Sequence, residues 1–223
     1  MKTHKQRGVS SLEFAFSILV LAPLVLGTGV IGINMVKNLQ TTQLARDIGH
    51  MYARGVNFGK PGNKTIVSNL GQSLGLSTTA GSGKAVVILS SVTYVDDNMC
   101  QAVGAAGVGG VHLGSCGNYG YWVFTQRVTI GNASVRGSNY GAPVTGPAPG
   151  VTIAADGTIS MQDYCKNPGA RANFSGINPY AVINGAASGL PSGEMLYIAE
   201  AGALGFNMPP FVSNAVSYSW GIF

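Results

Sequence analysis

Residues 14–36 carry no charged side chain, and no other stretch limits this 223-residue chain as strongly. They read FAFSILVLAPLVLGTGVIGINMV. A helix needs about 20 such residues to cross a bilayer. Lys2, Lys5 and Arg7 come just before the run, with His4 among them. The positive-inside tendency then leaves the N-terminus in the cytoplasm and sends the rest of the chain outward. A cleaved secretory signal fits poorly. The run exceeds the roughly 7–15 residues of an ordinary signal core. It is followed by Lys37-Asn38-Leu39-Gln40 rather than by a small-residue cleavage site. One carboxylate, Glu13, stands at the head of the run. An acid at the centre of a membrane helix costs about 2.5–3.5 kcal/mol on insertion scales, so its presence calls for a role.

Spacing suggests that role. If Gly8 is the last residue of a short basic leader, Val9 becomes the first residue of the mature chain and Glu13 the fifth. A basic leader, a glycine at the cut, an acid at the fifth position and an apolar helix together resemble a type IV prepilin. Within that group, the sequence Gly8-Val-Ser-Ser-Leu-Glu13-Phe-Ala-Phe is most similar to the TadE/TadG family of tight-adherence (Tad) pilus proteins. The resemblance is strong over residues 7–52. Further on, VVILSSVTYV, VFTQRVTIGN and GEMLYIAEA are similar, less specifically, to that family's periplasmic strands.

The resemblance implies that a prepilin peptidase cuts between Gly8 and Val9, where a residue without a side chain lets the backbone enter a tight active site. It also implies that the Glu13 carboxylate pairs with the freed Val9 amine of a neighbouring subunit. Such a pair sets register in an apolar bundle, even where its net stabilisation is small. The simpler alternative places Glu13 at the membrane surface beside Arg7. The chain is longer than the small major pilin of such systems, which points to a minor pilin or pseudopilin. Implied partners are other pilin subunits, the inner-membrane assembly platform and the lipid bilayer. The implied location is the bacterial inner membrane, with a periplasmic C-terminal domain, or the cell-surface pilus. Two other readings stay open: a single-pass assembly factor never built into a filament, and an adhesive module displayed at a tip.

Within the apolar run, Pro23 lacks an N–H and is expected to kink or loosen the helix. Gly27, Gly29 and Gly32 spell G-x-G-x-x-G, but no strand precedes them, so a dinucleotide site is rejected. Small residues here suit close helix packing. Beyond the run, Leu39, Leu44, Ile48 and Met51 form a helical stripe. Arg54 and Gly55 suit a helix end.

These signals divide the chain into a leader (1–8), a helix (9–55, with 14–36 in the membrane) and an extracytoplasmic domain (56–223). The domain reads as α+β: a long N-terminal helix packed on a small antiparallel sheet with long loops. A helix is expected over 64–74, with Ile66, Val67, Leu70 and Leu74 inward. Strands are expected over 85–95, 120–130, 193–201 and 215–223. In the second, Trp122, Phe124 and Val128 alternate against Val123, Thr125 and Arg127. The stretches 131–150 and 167–193 read as loops.

The formal charge of +5 falls to +2 without Lys2, Lys5 and Arg7, leaving ten basic and eight acidic residues. No basic patch then argues for nucleic acid. The three cysteines lie on the side where disulfides persist. Cys100 and Cys116 flank one Gly-rich loop, and their bridge is the preferred pairing. Cys165 is left unassigned: free, paired with another chain, or a replacement partner. No enzyme motif is present. The segment 80–84 is an incomplete P-loop, and His112 is the one histidine of the head domain. Asp96-Asp97-Asn98 reads as a solvated strand-end turn before a calcium site. No metal or cofactor is expected.

Overall fold

A computed structural model describes residues 9–105, 116–174 and 192–223. A 45-residue helix α1 (Val9–Ala53) leads into α2 (Pro61–Leu70), and a four-stranded sheet follows. The strands are β1 (Ala85–Tyr94), β2 (Trp122–Gly131), β3 (Met195–Leu204) and β4 (Val216–Ile222). Their order is β2-β1-β3-β4, and every neighbouring pair is antiparallel. Two six-residue helices, α3 (Asp97–Ala102) and α4 (Met161–Lys166), sit among the connections. The chain is thus α+β, with one apolar N-terminal helix long enough to cross a membrane.

Helix α1 ends as its sequence suggests. Gly55 is left-handed, at φ +87°. Its N–H bonds the Tyr52 carbonyl and the Val56 N–H bonds the Met51 carbonyl, the paired bonds of a Schellman motif. The helix assignment runs unbroken through Pro23, whose missing N–H leaves the Leu19 carbonyl without its usual donor.

The segment 64–74 is not one helix. It starts earlier, at Pro61, and breaks at Gly71 before a single 3-10 turn at Gln72–Leu74. The Leu76 side chain packs where a Cβ of residue 71 would stand, so the glycine permits the turn. Val67 and Leu74 are buried, but Ile66 and Leu70 are exposed, correcting the expectation that all four face inward. Only a narrow side of α2 meets the core.

Each face of the sheet is covered by a different layer. Ala85, Val87 and Leu89 of β1, Val128 and Ile130 of β2, and Ala199, Ala201 and Ala203 of β3 face α1 and α2. Val92, Phe124, Leu196 and Ile198 face a layer made by the long connections and α3 and α4. The even alternation expected along β2 fails for a local reason. Ser91 pairs with Gln126 and Val92 with Phe124, so Thr125 is an extra residue, a bulge. One inserted residue reverses the side-chain phase. Phe124 and Val128 therefore lie in opposite cores. The bulged Thr125 hydroxyl bonds Ser91 at 2.5 Å.

Candidate assembly surface of the N-terminal helix

Helix α1 touches its own head along one seam. Gly27, Val30, Asn34, Lys37, Thr41, Leu44, Ile48 and Tyr52 are buried or half-buried and recur every three or four residues, with Gln40, Ala45, Gly49 and Met51 beside them. This spacing keeps one face of a helix in register over many turns. The upper seam is apolar and rests on β3 and β4, whose facing residues are small: Ala199, Ala201, Ala203, Ser217, Ser219 and Gly221. Small side chains on two adjacent strands make a flat bed that lets the helix approach closely. A Cβ on Gly49 would overlap the Phe223 ring, which also meets His50 edge-on at 4.8 Å.

The lower seam is polar. Asn34 donates to the Phe206 carbonyl at 3.1 Å and accepts from the Phe206 N–H at 2.7 Å. The Lys37 ammonium donates to the Leu204 carbonyl at 3.0 Å. The fully buried Thr41 turns its hydroxyl back to the Lys37 carbonyl at 2.8 Å. Still lower, the Phe211 ring lies over Gly27. Leu39, expected on the stripe, is 64% exposed, because Thr41 takes the inward position. Among the described residues, no head atom lies within reach of a Cβ at Gly29 or Gly32.

Away from the seam, α1 is bare. Its large apolar residues between Leu12 and Val36 are 45–72% exposed, apart from the buried Val30. A helix that is apolar all round needs lipid or neighbouring protein to cover it. Glu13 lies on this exposed length, where its backbone carbonyl accepts from the Ser17 hydroxyl at 2.9 Å. The first head contact, at Gly27, is fourteen residues or about 21 Å further along. Among the described residues, therefore, the head does not reach the Glu13 carboxylate. Gly8 lies outside the described residues, and Val9 opens the described helix.

At the far end of the head, Cys100 and Cys116 form a disulfide with a Cα–Cα distance of 5.6 Å. Asp96 caps α3, accepting from the Met99 N–H at 2.9 Å, so the Asp96-Asp97-Asn98 segment opens a helix. The strand after the bridge is clamped by buried Asn118, which donates to the Tyr164 and Asn167 carbonyls and accepts from Arg171. Arg171 also covers the Tyr121 ring at 3.7 Å. Cys165 is free and buried, and burial pushes its thiol up to about 11. Among the described residues there is no group of three or more His, Cys, Asp or Glu able to hold a metal ion. His112 lies outside them, and His50 is committed to the Phe223 contact.

Sequence reasoning missed one polar centre. Glu200, in mid-β3, is 1% exposed. Its carboxylate accepts from the Ser138 and Tyr218 hydroxyls, each at 2.5 Å, and from the Asn139 N–H at 2.9 Å. Arg127 donates to Ser90 at 2.6 Å and to the Gly141 carbonyl at 3.0 Å. Burial pulls the Arg127 guanidinium down from its ordinary value, and the Glu200 charge pushes it back up. Burial also pushes the Tyr218 phenol up, and its bond to Glu200 adds to the shift. These hydrogen-bond partners of Glu200 come from the 138–139 segment and from β4. The centre therefore pins a long connection onto the sheet. Its only sequence signal is an acid at an inward position of a strand.

No family model, no curated protein and no solved structure matches this chain.

Proposed function

We propose that this chain is a minor pilin or pseudopilin of a Tad-type, type IV-like pilus, cut after Gly8 and packed into its assembly through α1. The observation that carries the reading is the division of α1 into two lengths. The upper length is seated on a folded head. The lower length exposes large apolar residues and has one carboxylate, Glu13, beyond the reach of the described head residues. This arrangement serves two environments in turn. In the inner membrane, lipid covers the bare length. After lateral extraction, neighbouring helices replace the lipid, and the Glu13 carboxylate of one subunit pairs with the Val9 amine of the next. A buried charge without a partner is costly, so the pair penalises wrong registers more than it adds stability.

In this reading the head does no chemistry. Its disulfide and its two-layer core present a rigid body at the far end of the helix. The prepilin peptidase, the assembly platform and the other subunits are the partners.

The test uses Glu13→Ala. Processing after Gly8 is expected to continue, as read by the mass and N-terminal sequence of the membrane-extracted protein. Incorporation into sheared filaments is expected to fall at least tenfold. Normal incorporation of the variant would sink the register role. Wild-type chain absent from sheared filaments but present in the membrane would make the protein a resident assembly factor.

A further inference from the structure

The β3–β4 connection, residues 205–215, reaches down the helix into the apolar run. It holds Asn34 by two hydrogen bonds and lays the Phe211 ring over Gly27. It carries no charged residue, and Phe206, Pro209, Pro210 and Phe211 are exposed. The connection is therefore an apolar surface continuous with the bare face of α1.

The position of this surface conflicts with a membrane segment at 14–36. With the hydrocarbon edge at Val36, Phe211 would sit about 14 Å below it, at the level of Gly27. Irregular backbone facing lipid is not tolerated at that depth, because each unmet polar group costs several kcal/mol. The connection is irregular, and it also carries exposed Asn207, Ser213 and Asn214. The interface tolerates such a segment, since water reaches its polar groups while its rings sit among headgroups and upper acyl chains.

We infer that the 205–215 connection docks on the outer lipid interface and fixes the bilayer crossing at about residues 9–28. Twenty residues at 1.5 Å each span the roughly 30 Å of hydrocarbon. The lipid surface is thus the partner of this apolar patch, and residues 29–36 stand above the hydrocarbon as a stalk held by the head. Lys37 lies about 15 Å above Gly27, and Lys84 is exposed at the same end of the sheet, beside Leu204. Both cations suit a surface facing anionic headgroups. The placement leaves Glu13 about 6 Å inside the cytoplasmic edge. The inference needs only a bilayer crossing by α1, so it survives if the chain never enters a filament.

The test places Phe211→Trp in a Trp122→Phe, Trp220→Phe background, in vesicles of phosphatidylcholine and phosphatidylglycerol. The expected result is strong quenching by lipids brominated near the glycerol, weak quenching by lipids brominated near the chain ends, and loss of quenching by aqueous iodide. Quenching by iodide with none by either lipid overturns the inference, because the loop is then in water. Dominant quenching by the deep bromines also overturns it, because the crossing then extends to Val36. A measurement on the unmutated protein stands beside it, using a lipid with a diazirine at the top of one acyl chain. Cross-links are expected on peptides covering 205–215, and their absence there, with cross-links on α1, overturns the inference. Failure of the crossing itself reads differently, as release of the protein from vesicles by alkaline carbonate.

Discussion

Glu200 shows what one residue does to a surface connection. The carboxylate is buried, takes three donors and draws Tyr218 and the 138–139 segment onto the face of the sheet opposite α1. Removing it leaves two hydroxyls and an amide facing inward, and leaves Arg127 without the nearby negative charge that opposes its burial. Glu200→Ala is therefore expected to cost about 3–5 kcal/mol, the range for breaking one side of a buried charged network. Urea unfolding of the detergent-solubilised chain measures it. Glu200→Gln retains two acceptor sites and is expected to lose less. Equal losses for both variants would show that the charge, rather than the hydrogen bonds an amide can keep, carries the stabilisation. None of this was legible in GEMLYIAEA, where the acid looks like any other strand residue. The lower seam was hidden in the same way. Gly27, Asn34 and Lys37 read as parts of an apolar run and its end, because their partners Phe211, Phe206 and Leu204 lie far away in sequence.

At the scale of elements, the sequence carried more. The four described strands fall within a few residues of those expected, and the clearest signal was the β-branched run of β1, which is buried almost throughout. Arg54 and Gly55 marked the end of α1 through the chemistry of the cap alone. The misses are those where one position changes a phase. Thr125 reverses the alternation of β2, and Gly71 divides the expected helix at 64–74. Neither effect shows in a local pattern, since each depends on what packs opposite. The docking of α1 onto β4 has its own test. A Cβ at residue 49 collides with the Phe223 ring, so Gly49→Ala is expected to lower the Tm of the solubilised chain by several degrees. In the Phe223→Ala background the same substitution is expected to cost little, because the colliding ring is gone. Additive losses in the double variant would mean that the helix does not rest on the C-terminal ring.

For the whole molecule, the head is stabilised by closures that act at its two ends. The Cys100–Cys116 bridge closes the far end, and a loop of its 16-residue separation is credited with about 3 kcal/mol. At the end nearer Gly27, the α1 seam and the 205–215 connection close the other. Between them, two tyrosines report on the core. Burial pushes Tyr140 up to about 12, with the Glu200 charge adding to the shift, and burial does the same to Tyr164. An unfolded tyrosine titrates near 10. A folded value above the unfolded one means that the unfolded chain releases its proton first. The stabilisation tied to these phenols is therefore complete below pH 10 and is lost as pH rises towards 12. Cys165 has the same sign in a lower window, from the ordinary thiol value up to about 11. Stability is thus expected to decline from about pH 9 and to fall most steeply between pH 10 and 12. Tyrosinate absorbance and far-ultraviolet circular dichroism, followed together, measure this. The late tyrosines are expected to ionise only as the sheet signal is lost. Tyr140→Phe should keep the packing and remove one proton from the coupled step, which makes the alkaline transition less steep. An unchanged slope in that variant would mean that Tyr140 is ionising in the folded head, and that the loop layer over Glu200 does not exclude water.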